Sequence, residues 1–231
     1  MTKNIQIEEK FRNRSFIFDD RLDAGRELAG MLANDFRGDA ESIVLAIPSG
    51  GVPVGMELAK ALDLPMDLII VRKVQIPGNT EAGFGSVSST GKMFFNEPLM
   101  NRLGLSQTEI DQQVDKVKGE LADREKRFRG DAPFPDLSGK TAIIADDGLA
   151  SGFTMLAAVD SVRAEGAERV IAAVPTAHSG SLDRVASVCD EVYCANVREG
   201  MRFAVAEAYR NWRDLEPGEV EAMARKAGII K

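Results

Sequence analysis

The sequence predicts an α/β protein whose central sheet is doubly wound, mainly parallel and flanked by helices. Short apolar runs at residues 43–47, 67–74, 142–145, 169–175 and 191–195 have the length and composition of buried parallel strands. Helical patterns with an apolar stripe separate most of these runs, as the crossovers between parallel strands require. Glycine-rich or polar turns follow several runs, at the edge where such sheets bind their ligands.

The length of 231 residues fits one domain. We therefore predict a single domain over residues 1–231. Its core is expected at about residues 20–195, with a β-hairpin within it and a small hood built from residues 1–19 and 196–231. The apolar content is sufficient for a full core without a disulfide or a metal to stabilise it.

Charge and composition disfavour several classes of partner. The formal net charge is −7, which argues against nucleic acid and acidic membranes, because both bind basic surfaces. No apolar run approaches the length of a membrane span, and the polar N-terminus has no signal-like segment. Cys189 and Cys194 match no zinc or redox spacing, which predicts core or near-core thiols in a reducing compartment. A cytoplasmic location is the expectation.

The first half of the chain predicts a βαβ unit. An N-terminal arm leads to a helix that begins after Asp19 or Asp20, either of which can cap it. A second helix, over residues 52–62, connects the first two strands. The second of these strands ends in Arg72 and Lys73, so both cations are expected at the carboxyl edge of the sheet.

Residues 75–96 differ in composition, because glycine and proline interrupt the pattern. They predict a loop followed by an antiparallel β-hairpin that turns at Thr90-Gly91. A capping box at Ser106 and Glu109 opens a long charged helix that ends near Phe128. Further helices are predicted over residues 153–164, 182–187 and 216–227.

The most informative stretch is residues 141–154, TAIIADDGLASGFT. Two carboxylates, Asp146 and Asp147, follow a buried strand, and a loop of small residues then leads into a helix. Adjacent acids alone often cap a loop or a helix. Here the acids can accept hydrogen bonds from sugar hydroxyls, while the backbone N–H groups of the loop and the helix N-terminus suit a phosphate. The combination predicts a site for a phosphorylated sugar.

This stretch resembles the phosphoribosyl-pyrophosphate (PRPP) motif of the type I phosphoribosyltransferases. The resemblance implies that Asp146 and Asp147 bind the ribose hydroxyls and belong to the catalytic set. It also implies that the loop binds the 5′-phosphate, with Ser151 supplying a hydroxyl where the family usually has threonine. The implied sugar-phosphate residues are Asp146, Asp147, Gly148, Leu149, Ala150, Ser151, Gly152, Phe153 and Thr154.

The turn Ser49, Gly50 and Gly51 is similar to the pyrophosphate loop of that family, which binds through backbone N–H groups. Many members have a basic residue at the position of Ser49. Its absence here points to Arg72 and Lys73 as cationic partners of pyrophosphate, with Lys73 in the catalytic set. The alternative is that both are solvated charges at a strand end.

The chain as a whole resembles a less-studied branch of the family. The branch has a Pro-X-Gly-Gly-Val-Pro-Val-Gly turn, matched by residues 48–55. It also has an Arg-Lys strand end, an Asp-Asp-Gly-Leu-Ala loop, and a C-terminal element matched by Phe203 and Tyr209.

The acceptor is harder to predict. Enzymes that salvage 6-oxopurines usually carry an acid where this chain has Ala150, which weakens that substrate hypothesis. Phe203 and Tyr209, with Trp212, can stack on a flat base, or they can be core residues. Residues 75–95 can form a mobile lid in which Glu81 acts as acid or base, or a purely structural hairpin.

The lone histidine, His178, follows a predicted strand at the same sheet edge, although a single histidine is more often structural. The functional hypothesis is transfer of the 5-phosphoribosyl group from PRPP to a nitrogen acceptor, such as a heterocyclic base, with release of pyrophosphate. Mg²⁺ is expected to arrive with PRPP and to be held by its oxygens and water rather than by a protein cage. A homodimer is implied by the family resemblance alone.

The first alternative is a non-catalytic PRPP sensor. A nucleotide-binding or phosphotransfer protein of another doubly wound class is less favoured, because a Walker A motif and a Gly-x-Gly-x-x-Gly at the first βα turn are both missing.

Overall fold

A computed structural model of the chain describes residues 4–200 and 202–230, apart from the side chains of residues 80–82. Two sheets organise it. The strands are β1 Ile5–Ile7, β2 Ser42–Ala46, β3 Met66–Leu68, β4 Val71–Ile76, β5 Asn79–Ser88, β6 Met93–Phe95, β7 Thr141–Ala145, β8 Arg169–His178 and β9 Glu191–Arg198. Six of them form a parallel sheet in the order β1-β9-β8-β7-β2-β3, and β4, β5 and β6 form a separate antiparallel sheet.

Helices pack on both faces of the parallel sheet, on the antiparallel sheet and on one another. They are α1 Arg21–Phe36, α2 Gly51–Leu62, α3 Glu97–Leu103, α4 Gln107–Phe128, α5 Phe153–Ala164, α6 Ser179–Ala186 and α7 Pro217–Lys226. Alternate residues of a strand face opposite layers. Val44 packs with α1 and α2 on one face, whereas Ile43 and Leu45 pack with α5 on the other. The predicted doubly wound α/β fold is confirmed.

The predicted strand over residues 67–74 is wrong, because the chain leaves the parallel sheet after Leu68 and enters the other sheet at Val71. The buried guanidinium of Arg129 stabilises this break, since it donates to the carbonyl of Leu68 and lies 2.8 Å from the carboxylate of Asp67. The connecting residues Ile69 and Ile70 are fully buried. A continuous apolar run therefore indicated burial correctly but could not reveal the change of sheet.

The predicted antiparallel hairpin is present, and it turns at Gly91, whose φ is 83°. The loop expected before it is instead a second tight turn, at Pro77 and Gly78, that joins β4 to β5. Phe84 and Val87, at the base of this sheet, are buried in a cluster that includes residues of α4. The base of the predicted lid, residues 75–95, thus belongs to the core. The mobility of the lid stays a prediction.

The capping residues predicted from the sequence are found at the N-termini of two helices. Asp20 caps α1 by accepting a hydrogen bond from the Asp23 N–H, and Ser106 and Glu109 form the predicted capping box of α4. Two elements were missed. The N-terminal arm contributes strand β1 to the edge of the parallel sheet, and α3 follows the hairpin.

The two terminal segments meet beside the end of β9. Phe18 pairs with Tyr209 in an isolated bridge, and the Arg210 N–H donates to the Phe18 carbonyl at 2.8 Å. This contact is compatible with the hood predicted from residues 1–19 and 196–231, and the domain boundaries stay a prediction. In the described part of the chain, no helix combines the length and apolar character needed to cross a membrane.

Candidate functional site

The two acids lie at the carboxyl end of β7, next to each other and largely enclosed. The Asp147 N–H donates to Asp146 Oδ1 at 2.8 Å. Arg21 Nε, from the first turn of α1, donates to Asp147 Oδ2 at 2.8 Å. The side chains of Arg21 and Asp147 are only 9% and 15% exposed. Each carboxylate therefore has one oxygen held by the protein.

Burial governs the ionisation of this pair. Burial, followed by the charge of Asp147, raises the pKa of Asp146 well above its usual value. Burial also raises the pKa of Asp147, while Arg21 opposes that rise. Two carboxylates this close repel each other when both are ionised. The pair is consequently suited to a ligand that brings hydroxyl donors or positive charge.

The turn after β2 lies directly against the acids. A Cβ atom on Gly50 would stand 1.8 Å from Asp147 Oδ2, and one on Gly51 would stand 2.5 Å from the Ala145 carbonyl oxygen. The peptide between Pro48 and Ser49 is cis. The Gly51 N–H donates to the Ile47 carbonyl at 3.0 Å, whereas those of Ser49 and Gly50 donate to no described group. Glycine here lets the two loops approach each other closely. Because the Gly51 N–H is used within the turn, the N–H groups of Ser49 and Gly50 are the ones left to bind an anion.

The first part of the loop after the acids is anchored to β8. The Leu149 N–H donates to the Thr176 carbonyl at 2.9 Å, and the His178 N–H donates to the Leu149 carbonyl at 3.1 Å. A Cβ on Gly148 would stand 2.7 Å from Val205 Cγ1 and 2.9 Å from Thr176 Cγ2. Close packing therefore explains this glycine.

The second part of the loop directs its carbonyl oxygens into the protein. The hydroxyl of Ser181 donates to the Ala150 carbonyl, and Arg184 Nη1 donates to the Ser151 carbonyl at 2.6 Å. The successive N–H groups of residues 150–154 donate to no other group in the described part of the chain. Gly152, with φ of 79°, precedes α5 and supplies no side-chain cap. Free donors at a helix N-terminus suit an anion, and we call residues 150–154 the anion cradle.

The predicted cations Arg72 and Lys73 occupy opposite faces of β4. Arg72 pairs with Val87 across the sheet and forms an ion pair with Glu120 of α4 at 2.6 Å. Lys73 is opposite Ser86, whose hydroxyl donates to the Phe153 carbonyl at 3.2 Å. Cross-strand partners share a face, so Lys73 projects on the side of the anion cradle and Arg72 projects toward α4.

Tyr209 occupies a position that sequence alone could not assign. It is 1% exposed, and its hydroxyl donates to the Asp147 carbonyl at 2.6 Å. Its ring contacts Phe18 and Trp212. These contacts favour the core alternative over stacking on a base, and they tie the C-terminal segment to the acid pair.

Phe203 is half-buried and lies edge-on to His178, with ring centroids 6.1 Å apart. The His178 Nδ1 accepts a hydrogen bond from the Gly180 N–H and caps α6, while Nε2 is 2.9 Å from the Gly200 carbonyl. Both ring nitrogens are therefore engaged, as expected of a structural histidine. Glu81, the candidate acid or base of the lid, has a side chain outside the described residues.

Arg21 is the residue that the sequence reasoning missed. A signal existed, because a cation in the first turn of a helix is unfavourable to the helix dipole. Its guanidinium lies 3.8 Å from the ring centroid of Trp212, and Nη1 donates to the Arg213 carbonyl at 2.9 Å. An arginine at this position favours a compensating anionic partner, and in the structure that partner is Asp147.

Comparisons with known proteins agree with this arrangement. The family model described as a phosphoribosyl transferase domain matches residues 17–208. Two curated proteins of Mycobacterium tuberculosis, Rv0571c (strain H37Rv) and MT0597 (strain CDC 1551), have names that assign them provisionally to the phosphoribosyl transferases. Each is 39% identical over 211 residues, which cover 91% of this chain and 47% of the relative. The chain thus spans about half the length of these relatives.

A solved structure is also similar over nearly the whole chain. The crystal structure of the protein TT1426 from Thermus thermophilus is 32% identical, with a TM-score of 0.75 over 90% of this chain and 98% of that one. Together with the family model, these relatives show that the chain belongs to the phosphoribosyl transferase domain family.

Proposed function

We propose that this protein transfers the 5-phosphoribosyl group from PRPP to a nitrogen atom of a heterocyclic base, with release of pyrophosphate. The observation that carries the proposal is the convergence of three elements at the carboxyl ends of β2 and β7. These are the glycine turn at residues 49–51, the acid pair, and the anion cradle at residues 150–154. Ligands of parallel α/β sheets bind at this edge.

The anion cradle supports binding of the 5′-phosphate. Its free N–H groups and the N-terminus of α5 favour negative charge without a cationic side chain. The hydroxyls of Ser151 and Thr154 lie within this segment and can add two donors. The acid pair begins four residues before Ala150, on the same loop, so a ribose joined to that phosphate can reach the free carboxylate oxygens of Asp146 and Asp147.

The remaining phosphates are proposed to lie against Ser49 and Gly50, with Lys73 as the nearby cation. The ion pair of Arg72 with Glu120 favours a structural role for that arginine. Among the described residues there is no cluster of three or more histidine, cysteine, aspartate or glutamate side chains able to hold a metal. The residues fit a Mg²⁺ that arrives with PRPP, because the crowded carboxylates of Asp146 and Asp147 favour added positive charge. When bound, Mg²⁺ would supply positive charge that offsets the charge of the pyrophosphate.

In this proposal the protein acts chiefly by positioning. Fixing the sugar phosphate and the pyrophosphate at opposite ends exposes C1 to a nucleophile on the other face of the ring. Carboxylates near the ribose stabilise the positive charge that develops as the C1–oxygen bond breaks. Phe203 remains the candidate acceptor-side ring, and Glu81 stays a prediction. A homodimer and a cytoplasmic location are further parts of the proposal.

A screen for pyrophosphate release tests the proposal. Mg·PRPP would be incubated with the wild-type protein and a panel of purines, pyrimidines and other nitrogen heterocycles. The Asp146→Asn/Asp147→Asn double variant is the control. We expect base-dependent pyrophosphate release that the double variant lacks. Tight binding of Mg·PRPP without release for any base would instead support a PRPP sensor, and absence of binding would overturn both functions.

A further inference from the structure

We propose that Arg21 is a positioning residue of the acid pair, and that it holds Asp147 in place as an ionised acceptor for a ribose hydroxyl. The inference rests on the proposed function and assigns a role to a residue outside the sequence motifs of the site. Arg21 belongs to α1, which is distant in sequence from the loop that it contacts. Its Nε bonds to Asp147 Oδ2 at 2.8 Å.

Three contacts fix the guanidinium of Arg21. Nε donates to Asp147, Nη1 donates to the Arg213 carbonyl, and the guanidinium carbon lies 3.8 Å from the centroid of the Trp212 ring. A planar guanidinium can make these contacts together, whereas a lysine ammonium cannot stack and has no fork of donors. The bond to Asp147 uses Oδ2, and among the described residues no N–H group donates to Oδ1, so Oδ1 can accept from a ligand.

The surroundings of Asp147 explain why a cation is needed. The ionisable groups that face it are Asp146 beside it, Arg21 from α1 and the Tyr209 hydroxyl from the C-terminal segment. Burial raises the pKa of Tyr209 well above its usual value, so that hydroxyl is neutral. Arg21 is consequently the compensating charge for two enclosed carboxylates. Without it a proton would neutralise one of them, and a protonated carboxyl accepts hydrogen bonds less well.

The C-terminal segment takes part through Trp212 and Tyr209. Trp212 stacks on the guanidinium, and the Tyr209 hydroxyl bonds to the Asp147 carbonyl. Trp212 is the single tryptophan of the chain. Its fluorescence therefore reports directly on the environment of Arg21, which provides a measurement independent of turnover.

The test is titration of Mg·PRPP into four proteins between about pH 6 and 9, followed by calorimetry and by tryptophan fluorescence. They are the wild type, Arg21→Gln, Arg21→Lys and the control Arg26→Gln. Arg26 is on the same helix, but its side chain is 55% exposed and its carboxylate partners are Asp23 and Glu57, outside the acid pair. Thermal unfolding verifies that each variant is folded.

We expect Arg21→Gln to bind Mg·PRPP at least ~10-fold more weakly near neutral pH, since it loses a charge-assisted bond. Its affinity should also need a higher pH than that of the wild type to reach its maximum. Arg21→Lys should keep the wild-type pH profile, yet bind several-fold more weakly because the fixed plane is lost. Arg26→Gln should match the wild type in both properties.

Wild-type affinity and pH profile in folded Arg21→Gln would show that Arg21 only ties the helix to the core, which overturns the inference but leaves the proposed function intact. If Arg21→Gln does not fold, wild-type affinity in Arg21→Lys overturns it in the same way. A wild-type protein that does not bind Mg·PRPP would overturn the proposed function and this inference together.

Discussion

Gly50 packs so closely against Asp147 that no side chain fits between them. A Cβ atom at position 50 would stand 1.8 Å from Asp147 Oδ2, far inside van der Waals contact. Gly50 has φ of −64°, an ordinary helical value, so space rather than backbone conformation requires glycine here. A side chain at position 50 would therefore require the carboxylate of Asp147 to shift.

Gly50→Ala should displace the carboxylate of Asp147 and weaken Mg·PRPP binding by at least ~10-fold, because the methyl group occupies the position of Oδ2. The control is Gly30→Ala, on the helix α1, where a Cβ meets nothing within 4 Å. It should bind normally and gain about 0.5–1 kcal/mol of stability, the helix preference for alanine over glycine. Calorimetric titration and thermal unfolding measure the two effects. Normal binding by Gly50→Ala would contradict the close contact.

The two acids should differ in their effect on stability. The folded-state pKa of Asp146 is raised, so the stability that this group contributes is present below its unfolded pKa of about 3.9 and is lost as pH rises through the folded pKa. Asp146→Asn should therefore stabilise the protein near neutral pH, by about 1 kcal/mol. This gain should disappear in acid, which unfolding measured from pH 4 to 8 would reveal.

Asp147→Asn should be less stable than Asp146→Asn by about 2 kcal/mol near neutral pH, because it removes the direct partner of the buried Arg21 guanidinium. Denaturant unfolding of the two single variants measures this difference. Equal stability of the two single variants would show that both carboxyl groups together, rather than Asp147 alone, balance the charge of Arg21.

The anion cradle should depend on the side chains that anchor its carbonyls. Replacing Ser181 by alanine and Arg184 by glutamine removes the donors to the Ala150 and Ser151 carbonyls. The double variant should bind ribose 5-phosphate more weakly, by about 5- to 30-fold, since each of the two lost hydrogen bonds is worth about 1 kcal/mol. Arg163→Gln is the matched control, because Arg163 bonds to the Val188 carbonyl and Asp190. An unchanged dissociation constant in the double variant would argue against preorganisation of the loop.

Arg72 and Lys73 should have different roles, one structural and the other in pyrophosphate binding. Lys73→Gln is expected to weaken pyrophosphate binding by about 10-fold, because Lys73 shares the face of β4 and β5 that contacts Phe153. Arg72→Gln is expected to leave that binding unchanged and to cost at most ~1 kcal/mol, since its ion pair with Glu120 is about one-third exposed. Titration of magnesium pyrophosphate into both variants compares them directly. A larger loss of pyrophosphate binding in Arg72→Gln than in Lys73→Gln would refute the assignment of the two side chains to the faces of β4.

The sequence predicted the fold class because strand length, helical periodicity and capping are local properties. Asp20, the capping box at Ser106, and Pro217 at the start of α7 each define a boundary through their own chemistry. The change of sheet between Leu68 and Val71 is not local. It depends on Arg129, which lies 61 residues further along the chain than Leu68.

The candidate site was predictable to the extent that it consists of contiguous residues. The acids and the cradle form one stretch, and the glycine turn after β2 forms another. Arg21 and Tyr209 were beyond the same reasoning, because their roles arise only when α1 and the C-terminal segment fold against β7. Arg72 and Lys73 were predicted together, and the alternation of faces along β4 separates them.

Calorimetric titration of Mg·PRPP tests whether the acid pair binds PRPP. The wild-type protein and the Asp146→Asn/Asp147→Asn double variant would be compared under identical conditions, after circular dichroism has shown that both are folded. We expect saturable binding to the wild type and at least ~100-fold weaker binding to the double variant, because both carboxyl acceptors for the ribose are removed. Equal affinity in both proteins would contradict this expectation.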